Sequence, residues 1–208
     1  MQATVMDRYP SAKYNFFKWR YSLSWVNKLG LALSMAFLTG LTAQLRIYLP
    51  FTPVPITGQV FAVLLSGVVC GSVFGSFSQL IYLALGIAGL PWFATFSPST
   101  SHLFASATGG YLIGFVFAPL LIGYYTDSYI GARTLLSQTK LMMLGVGVIY
   151  ALGATVLAVV MRLTLWQALI KGVIPFILVD LIKALLAALA SWAILPHRSY
   201  NGEIDKKE

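Results

Sequence analysis

The chain has 208 residues, of which 58% are hydrophobic and only 10% are charged. A soluble domain of this size carries about a quarter charged residues, so the composition excludes an ordinary soluble protein and predicts an integral membrane protein. The formal net charge is +8, but the basic residues crowd the two ends of the chain. This pattern is typical of cytoplasmic tails beside anionic lipid, and it argues against nucleic-acid binding.

Residues 1–28 come first in chain order and differ from the rest of the chain. Between Lys13 and Lys28, aromatic residues alternate with four basic residues. The segment is too long and too aromatic for the n-region of a secretory signal. We therefore predict a cytoplasmic or interfacial N-terminal segment that lies at the level of the lipid headgroups.

Six apolar stretches follow, and each is a candidate for a membrane span of about 20 residues. They cover residues 29–49, 58–70, 73–90, 109–125, 141–163 and 173–195, and residues 196–208 remain as a polar tail. Six spans place both termini on one side, and the excess of basic residues on that side predicts the cytoplasm. The predicted fold is an all-α, polytopic membrane protein with six transmembrane helices over residues 29–195 and both termini cytoplasmic.

Two uncharged connections on the opposite side of the membrane are unusual. Three prolines between Pro50 and Pro55 predict a stiff, non-helical hairpin between the first two spans, because proline fixes φ and biases its predecessor to extended backbone. Residues 91–108 contain Trp92, Phe93 and His102, and they form either a lid over a cavity or an interfacial loop. His102 could donate to a ligand, although a lone loop histidine is more often incidental.

Asp180 and Lys183 are the two charged residues of the last apolar stretch. An ionised side chain in lipid costs a few kcal/mol or more unless it is paired, and such residues often bind a ligand. The i, i+3 spacing puts one acceptor and one donor on the same helical face. The pair is therefore predicted to bind a polar ligand, and the alternative is a salt bridge that only stabilises the bundle.

Other polar and small residues within the spans have two interpretations each. Gln59 and Tyr82 either face a ligand or bond a neighbouring helix. Ala32, Ala36 and Gly40 recur at four-residue spacing, which favours either packing within the bundle or docking of another membrane subunit. The chain has no G-x-x-x-x-G-K-[ST] motif, no H-E-x-x-H and no G-x-S-x-G, so we expect neither ATP hydrolysis nor an enzyme, and no metal or cofactor.

Four segments carry a family resemblance. They read PFTPVPITGQVFAVLLSG over residues 50–67, YLALGIAGLPWFA over 82–94, TGGYLIGF over 108–115 and DLIK over 180–183. In this order they closely resemble the BioY family, the biotin-specific substrate-binding subunits (S-components) of energy-coupling factor (ECF) vitamin transporters. The segment 95–111 departs from the family pattern, because it is bulkier than the usual glycine-rich loop.

The resemblance implies a six-helix S-component in the bacterial plasma membrane, with a biotin pocket near the outer surface. It implies that Asp180 and Lys183 contact biotin and that the loop between the third and fourth spans helps to close the pocket. It also implies that the face of Ala32 and Ala36 docks a coupling subunit, which in turn joins two ATPase subunits. An apolar wall for biotin is expected from four aromatic residues: Phe51, Tyr82, Trp92 and Tyr111.

Three other functions remain open on the residues alone. The same fold could capture another small vitamin, the chain could be a stand-alone carrier in which Asp180 titrates with the proton gradient, or it could be an intramembrane enzyme. The ligand recovered with the purified protein, the energy source of uptake and the turnover of the ligand distinguish these functions.

Overall fold

The computed structural model describes residues 5–94 and 106–205, with side chains described from residue 11 onward. In these ranges the chain forms eight α-helices and two short 3-10 helices. The α-helices are α1 Val5–Ser22, α2 Trp25–Ala43, α3 Gln59–Cys70, α4 Ser72–Ile87, α5 Gly109–Ser128, α6 Leu135–Val160, α7 Leu165–Gly172 and α8 Ile177–Ile194. The 3-10 helices cover Gly131–Arg133 and Ile174–Phe176.

The first span lies earlier in the chain than the prediction of residues 29–49. Helix α2 begins at Trp25 because the Ser24 hydroxyl accepts a hydrogen bond from the backbone N–H of Asn27 and caps the helix. The helix ends at Ala43. Helix α2 therefore includes residues 25–28, which the sequence assigns to the N-terminal segment, and it ends before residues 44–49. The bounds of the membrane span itself stay a prediction.

The proline-rich connection forms the hairpin that its sequence predicts. Strand β1 (Arg46–Ile47) pairs with strand β2 (Ile56–Thr57) in antiparallel orientation, with Arg46 opposite Thr57. The prolines lie in the turn between the strands, where no ladder hydrogen bond needs their missing N–H. Apart from these four paired residues, the regular structure in the described part of the chain is helical, so the predicted fold class holds.

The last predicted span is interrupted near its start. Helix α7 ends at Gly172, and Pro175 lies in the 3-10 helix that separates α7 from α8. Proline has no N–H for a helical hydrogen bond, and its ring clashes with the preceding turn, so one helix through this point is unfavourable. The interruption begins a new helix at Ile177, and Asp180 lies in its first turn.

Helix α5 lies at the centre of the bundle, where it packs along α6 and against α3 and α4. Glycines make this close packing possible, since a Cβ atom at Gly67 would lie 2.7 Å from the carbonyl oxygen of Pro119. A Cβ atom at Gly123 would overlap the backbone of Ser72. Gly71 has a φ of +82° and makes the sharp turn from α3 to α4. The glycines that recur near this turn therefore pack helices within the chain.

Among the described residues, four helical stretches are long and apolar enough to cross a membrane, namely Trp25–Ala43, Gly109–Ser128, Leu135–Val160 and Leu165–Ile194. Helices α3 and α4 are shorter apolar helices. Large apolar side chains such as Phe37, Leu41 and Leu186 are exposed on the outside of the bundle, as lipid contact requires. These features describe a multi-pass membrane protein, whereas the six-span count and the side of the termini stay predictions.

The N-terminal helix and the C-terminal tail meet at one end of the bundle. The buried Arg20 of α1 donates to the carbonyl oxygen of Val68 at 3.0 Å and forms an ion pair with Asp127 at 2.5 Å. Arg20 also donates to the hydroxyl of Tyr200 at 3.1 Å. In the tail, Glu203 pairs with the fully buried Arg133 at 2.6 Å. This end of the bundle is therefore closed by polar contacts, and the opposite end remains for a site.

Candidate functional site: a cavity with one charged pair

A cavity lies at the end of the bundle opposite α1 and the tail, and its walls are mostly apolar. Mostly apolar walls are typical of small-molecule pockets. The walls come from the hairpin, the first turns of α3, α5 and α8, and the middle of α4 and α6. The described lining residues are Val54, Pro55, Ile56, Thr57, Gln59, Val60, Tyr82, Phe93, Ala94, Thr108, Tyr111, Leu112, Phe115, Ile149, Tyr150, Phe176, Asp180 and Lys183.

Asp180 and Lys183 are the two charged residues among these lining residues. The Lys183 ammonium donates to Oδ1 of Asp180 at 2.7 Å, as their spacing on α8 allows. The Tyr150 hydroxyl on α6 donates to the other oxygen, Oδ2, at 2.7 Å. Asp180 is only 5% exposed, so the ion pair and the hydrogen bond together offset the cost of burying its charge. The position in the first turn of α8 also favours a carboxylate.

Asp180 and Lys183 keep acceptor and donor positions for hydrogen bonds to a ligand. A carboxylate accepts about four hydrogen bonds, and each oxygen of Asp180 accepts one from the described side chains. The ammonium of Lys183 has three N–H donors, and its side chain is 14% exposed. A ligand can therefore donate to Asp180 and accept from Lys183 without breaking their contact.

A chain of hydrogen bonds holds the opposite wall. The Thr57 hydroxyl donates to Oε1 of Gln59 at 3.0 Å, and Nε2 of Gln59 donates to the Tyr82 hydroxyl at 2.6 Å. Nε1 of Trp92 donates to the Tyr82 carbonyl oxygen at 3.1 Å, and the two rings lie 5.2 Å apart. Gln59 and Tyr82 line the cavity, while the buried Trp92 packs behind Tyr82 and does not line it. The hydrogen bond between Gln59 and Tyr82 joins two helices, which is one of their two interpretations, whereas their contact with a ligand stays a prediction.

Tyr111 connects the cavity to the broken segment before α8. Its hydroxyl donates to the carbonyl oxygen of Gly172 at 2.7 Å, and its ring packs over Gly153 of α6. The ring needs this glycine, because a Cβ atom there would overlap it. Tyr111 thus lines the cavity as we expected and also fixes the distance between α5, α6 and the end of α7.

Two expected ligand-binding residues, Phe51 and Trp92, do not line this cavity. Phe51 is 60% exposed at the turn of the hairpin, and Val54 to Thr57 form the wall instead. Phe51 lies in the turn between β1 and β2, where its side chain is exposed and not packed against the cavity. His102 lies outside the described residues.

The residues expected to dock a partner subunit are buried between helices of this protein. Ala32 and Ala36 have no exposed surface, and α2 packs mainly on α3 and α4. A Cβ atom at Gly40 would lie 2.5 Å from Cε3 of Trp92. This face is therefore occupied by the protein's own helices, which is the packing alternative of the sequence analysis.

Tyr150, which hydrogen-bonds to Asp180, is a cavity residue that the sequence analysis did not predict. The sequence contains a feature that could have predicted it: a tyrosine within the apolar stretch 141–163, whose hydroxyl usually finds a hydrogen-bond partner when it is buried. No group of three or more His, Cys, Asp or Glu side chains suited to a metal is found among the described residues. Chemically, the cavity offers one anion, one cation and several hydroxyls in an apolar surround, as a site that binds a small polar heterocycle would.

The fold and the cavity define a class: a multi-pass helical membrane protein with a mostly apolar cavity and one charged pair at one end. The sequence matches the BioY family over residues 12–199. It is 41% identical over 148 residues to the "Probable biotin transporter BioY" of Methanothermobacter thermautotrophicus, covering 68% of this chain and 94% of that protein. It is 38% identical over 143 residues to the "Biotin transporter BioY" of Thermotoga maritima, covering 69% and 82%.

A solved structure agrees with these relatives. The crystal structure of the S-component for biotin from an ECF-type ABC transporter superposes with a TM-score of 0.73 at 27% identity, covering 80% of this chain and 89% of that chain. The chain therefore belongs to the BioY family, as its four sequence segments indicated.

Proposed function

We propose that this protein captures biotin in the cavity described above and delivers it across the membrane as the S-component of an ECF-type ABC transporter. Membership of the BioY family and the likeness to a biotin S-component support this function. The observation that carries it is the Asp180–Lys183 pair on the wall of an otherwise mostly apolar cavity.

The chemistry of biotin fits this cavity. Its ureido ring has two N–H donors and one carbonyl, its thiophane ring is apolar, and its valerate chain ends in a carboxylate. The Asp180 carboxylate accepts from a ureido N–H, and Lys183 donates to the ureido carbonyl or to the valerate carboxylate. Val60, Leu112 and Phe115 offer apolar contact to the thiophane ring.

The chain itself has no P-loop, so the energy for transport comes from partner subunits. We infer that a transmembrane coupling subunit and two ATPase subunits form the complete transporter, and that it works in the plasma membrane of a bacterium. Biotin is then the cargo and is recovered chemically unchanged, as expected of a transport subunit and not of an enzyme.

Biotin binding by the purified protein tests the site. We expect Asp180→Asn to lower the affinity at least tenfold, which corresponds to about 1.4 kcal/mol. The substitution puts N–H donors where biotin needs an acceptor and removes the partner of Lys183. Asp205→Asn is the matched control, because Asp205 lies in the tail at the far end of the bundle, where it accepts from the N–H groups of Ile130 and Gly131. An unchanged affinity in a folded Asp180→Asn protein, measured by calorimetry, would contradict this assignment.

The dependence on partners has its own test. Uptake of labelled biotin by vesicles should require the coupling subunit and ATP hydrolysis by the ATPase subunits. Uptake that persists without ATP and stops when the proton gradient is dissipated would instead support a stand-alone carrier.

A further inference from the structure

Most exposed side chains of α1 lie in two stripes, while the exposed Tyr21 lies outside both and packs edge-on against the ring of Tyr200. Taking 100° per residue, Ala12, Phe16 and Trp19 lie within about 60° of one another, and Leu23 continues their line just past the helix end. A second stripe, about 100° away, consists of polar residues: Ser11, Asn15, Lys18 and Ser22. All members of both stripes within α1 are exposed, including Phe16 at 37% and Trp19 at 51%.

A third face of α1 packs against the rest of the protein. Phe17 and Arg20 point to the bundle and are 0% and 3% exposed. Arg20 contacts the end of α3 through the Val68 carbonyl oxygen and the end of α5 through Asp127. Seven residues earlier, Lys13 donates to the carbonyl oxygen of Trp192 near the end of α8. Helix α1 therefore lies across the ends of three helices, and its rotation about its own axis is set by buried contacts.

The height of α1 relative to the membrane is also fixed. Only Leu23 and Ser24 separate α1 from α2, which is the first candidate span. The exposed apolar side chains of α2 begin at once, with Trp25 at 65% and Val26 at 69%, and Val26 shares one face with the exposed Phe37 and Leu41. The apolar stripe of α1 is thus continuous in sequence with a surface that faces lipid.

From this arrangement we propose that α1 is an interfacial helix that binds the bilayer surface through Ala12, Phe16 and Trp19. The apolar stripe enters the boundary between headgroups and acyl chains, and the polar stripe faces water. Such helices typically insert about 5–10 Å, with aromatic rings at the headgroup level and lysines near anionic lipid. Lys18, on the polar stripe, is exposed and placed to meet anionic headgroups.

Binding at the surface has a consequence for the bundle. Because Arg20 holds α1 against the ends of α3 and α5, the membrane contact of α1 also anchors that end of the bundle. The rest of the membrane domain can then tilt only together with α1. The partner is the lipid surface itself, and no protein subunit is needed for the contact.

Spin labels on neighbouring residues test the two stripes. Cys70 is the only cysteine, so single labels are introduced in a Cys70→Ser background. The label positions are Ala12→Cys, Phe16→Cys and Trp19→Cys for the apolar stripe, and Ser11→Cys, Asn15→Cys and Lys18→Cys as matched controls. The full-length protein is placed in nanodiscs of phosphatidylcholine and phosphatidylglycerol. Collisions of each label with oxygen, which concentrates in lipid, and with a water-soluble nickel chelate are then measured.

We expect the logarithm of the oxygen-to-nickel collision ratio to change sign between the stripes, positive at positions 12, 16 and 19 and negative at 11, 15 and 18. Equal, water-like ratios at all six positions would overturn the proposal. So would an apolar stripe that becomes protected only when the coupling and ATPase subunits are added, because it would then dock a protein.

A second measurement leaves the aromatic residues in place. Lipids brominated in the acyl chain quench nearby tryptophan, and the difference between the unmodified protein and Trp19→Phe isolates the signal of Trp19. We expect Trp19 to be quenched by these lipids and shielded from aqueous iodide. The opposite pattern would contradict insertion even if the labelled variants were destabilised.

Discussion

The Tyr150 hydroxyl donates to Oδ2 of Asp180 at 2.7 Å, on the oxygen that Lys183 does not contact. Three side chains from two helices thus form one unit, since Tyr150 lies on α6 and the charged pair lies on α8. The carboxylate is held from both sides, so its free acceptor positions have a fixed direction before any ligand arrives. Such preorganisation raises affinity because less conformational freedom is lost on binding.

We expect Tyr150→Phe to weaken biotin binding by about three- to tenfold, or about 0.7–1.4 kcal/mol, which is the net contribution of one typical hydrogen bond. The loss should be smaller than that of Asp180→Asn, because the acceptor itself remains. Calorimetry on purified protein measures both. Tyr125→Phe is the control, since Tyr125 is 41% exposed and lies at the far end of α5. An affinity equal to that of the control would mean that Tyr150 does not orient Asp180.

Substitutions at two glycines of α2 distinguish packing of this helix within the chain from docking of a partner subunit. A Cβ atom at Gly40 would lie 2.5 Å from the ring of Trp92, which packs on Tyr82 of the cavity wall, whereas nothing lies within 4 Å of a Cβ atom at Gly30. Gly40→Ala should therefore lower both the thermal stability and the biotin affinity of the isolated protein. Gly30→Ala should be neutral or stabilising by up to about 1 kcal/mol, because alanine favours helix. A stable, biotin-binding Gly40→Ala that fails only in complex assembly would instead support docking through this face.

Much of this architecture was predictable because its physical signals are local. Long apolar stretches, three prolines in six residues and two charges within an apolar stretch each leave a sequence pattern that the structure bears out as helices, a hairpin and an ion pair. The boundaries were less predictable. The Ser24 cap moved the first span toward the N-terminus, and Pro175 divided the last predicted span into a 3-10 helix and α8.

The site shows where sequence reasoning stops. The spacing of Asp180 and Lys183 predicts their contact, because both are on one helix. The contact with Tyr150 spans 30 positions of sequence, and it depends on how α6 packs on α8. Likewise, the small residues Ala32 and Ala36 indicate a close contact but do not indicate the partner, which here is the rest of the chain. Phe51 was expected in the wall from its type alone, whereas its exposure depends on the turn.

Removing one partner of the buried ion pair Arg133–Glu203 should lower the unfolding free energy strongly. Both side chains have no exposed surface, and Arg133 also donates to the carbonyl oxygens of Thr126 and Arg198. Arg133→Met leaves a buried carboxylate without its partner, and we expect a loss of about 3–5 kcal/mol in unfolding free energy. The double variant Arg133→Met/Glu203→Leu should recover part of this loss. Denaturant unfolding of the unmodified protein, the two single variants and the double variant measures the coupling energy of the pair. If the two single losses in unfolding free energy add up to that of the double variant, the pair does not interact.

The same carboxylate predicts how stability depends on pH. Burial raises the pKa of Glu203, but hydrogen bonds from Ser199, Arg133 and the backbone of Tyr200 outweigh it, and the pKa falls to about 2 from an ordinary value of 4.5. A lowered pKa stabilises the fold fully above the ordinary value, and this contribution is lost as the pH falls from 4.5 through 2. From pH 7 to pH 3.5, the melting temperature should therefore fall further for the unmodified protein than for Glu203→Gln. Equal drops would mean that Glu203 does not titrate differently in the folded and unfolded protein.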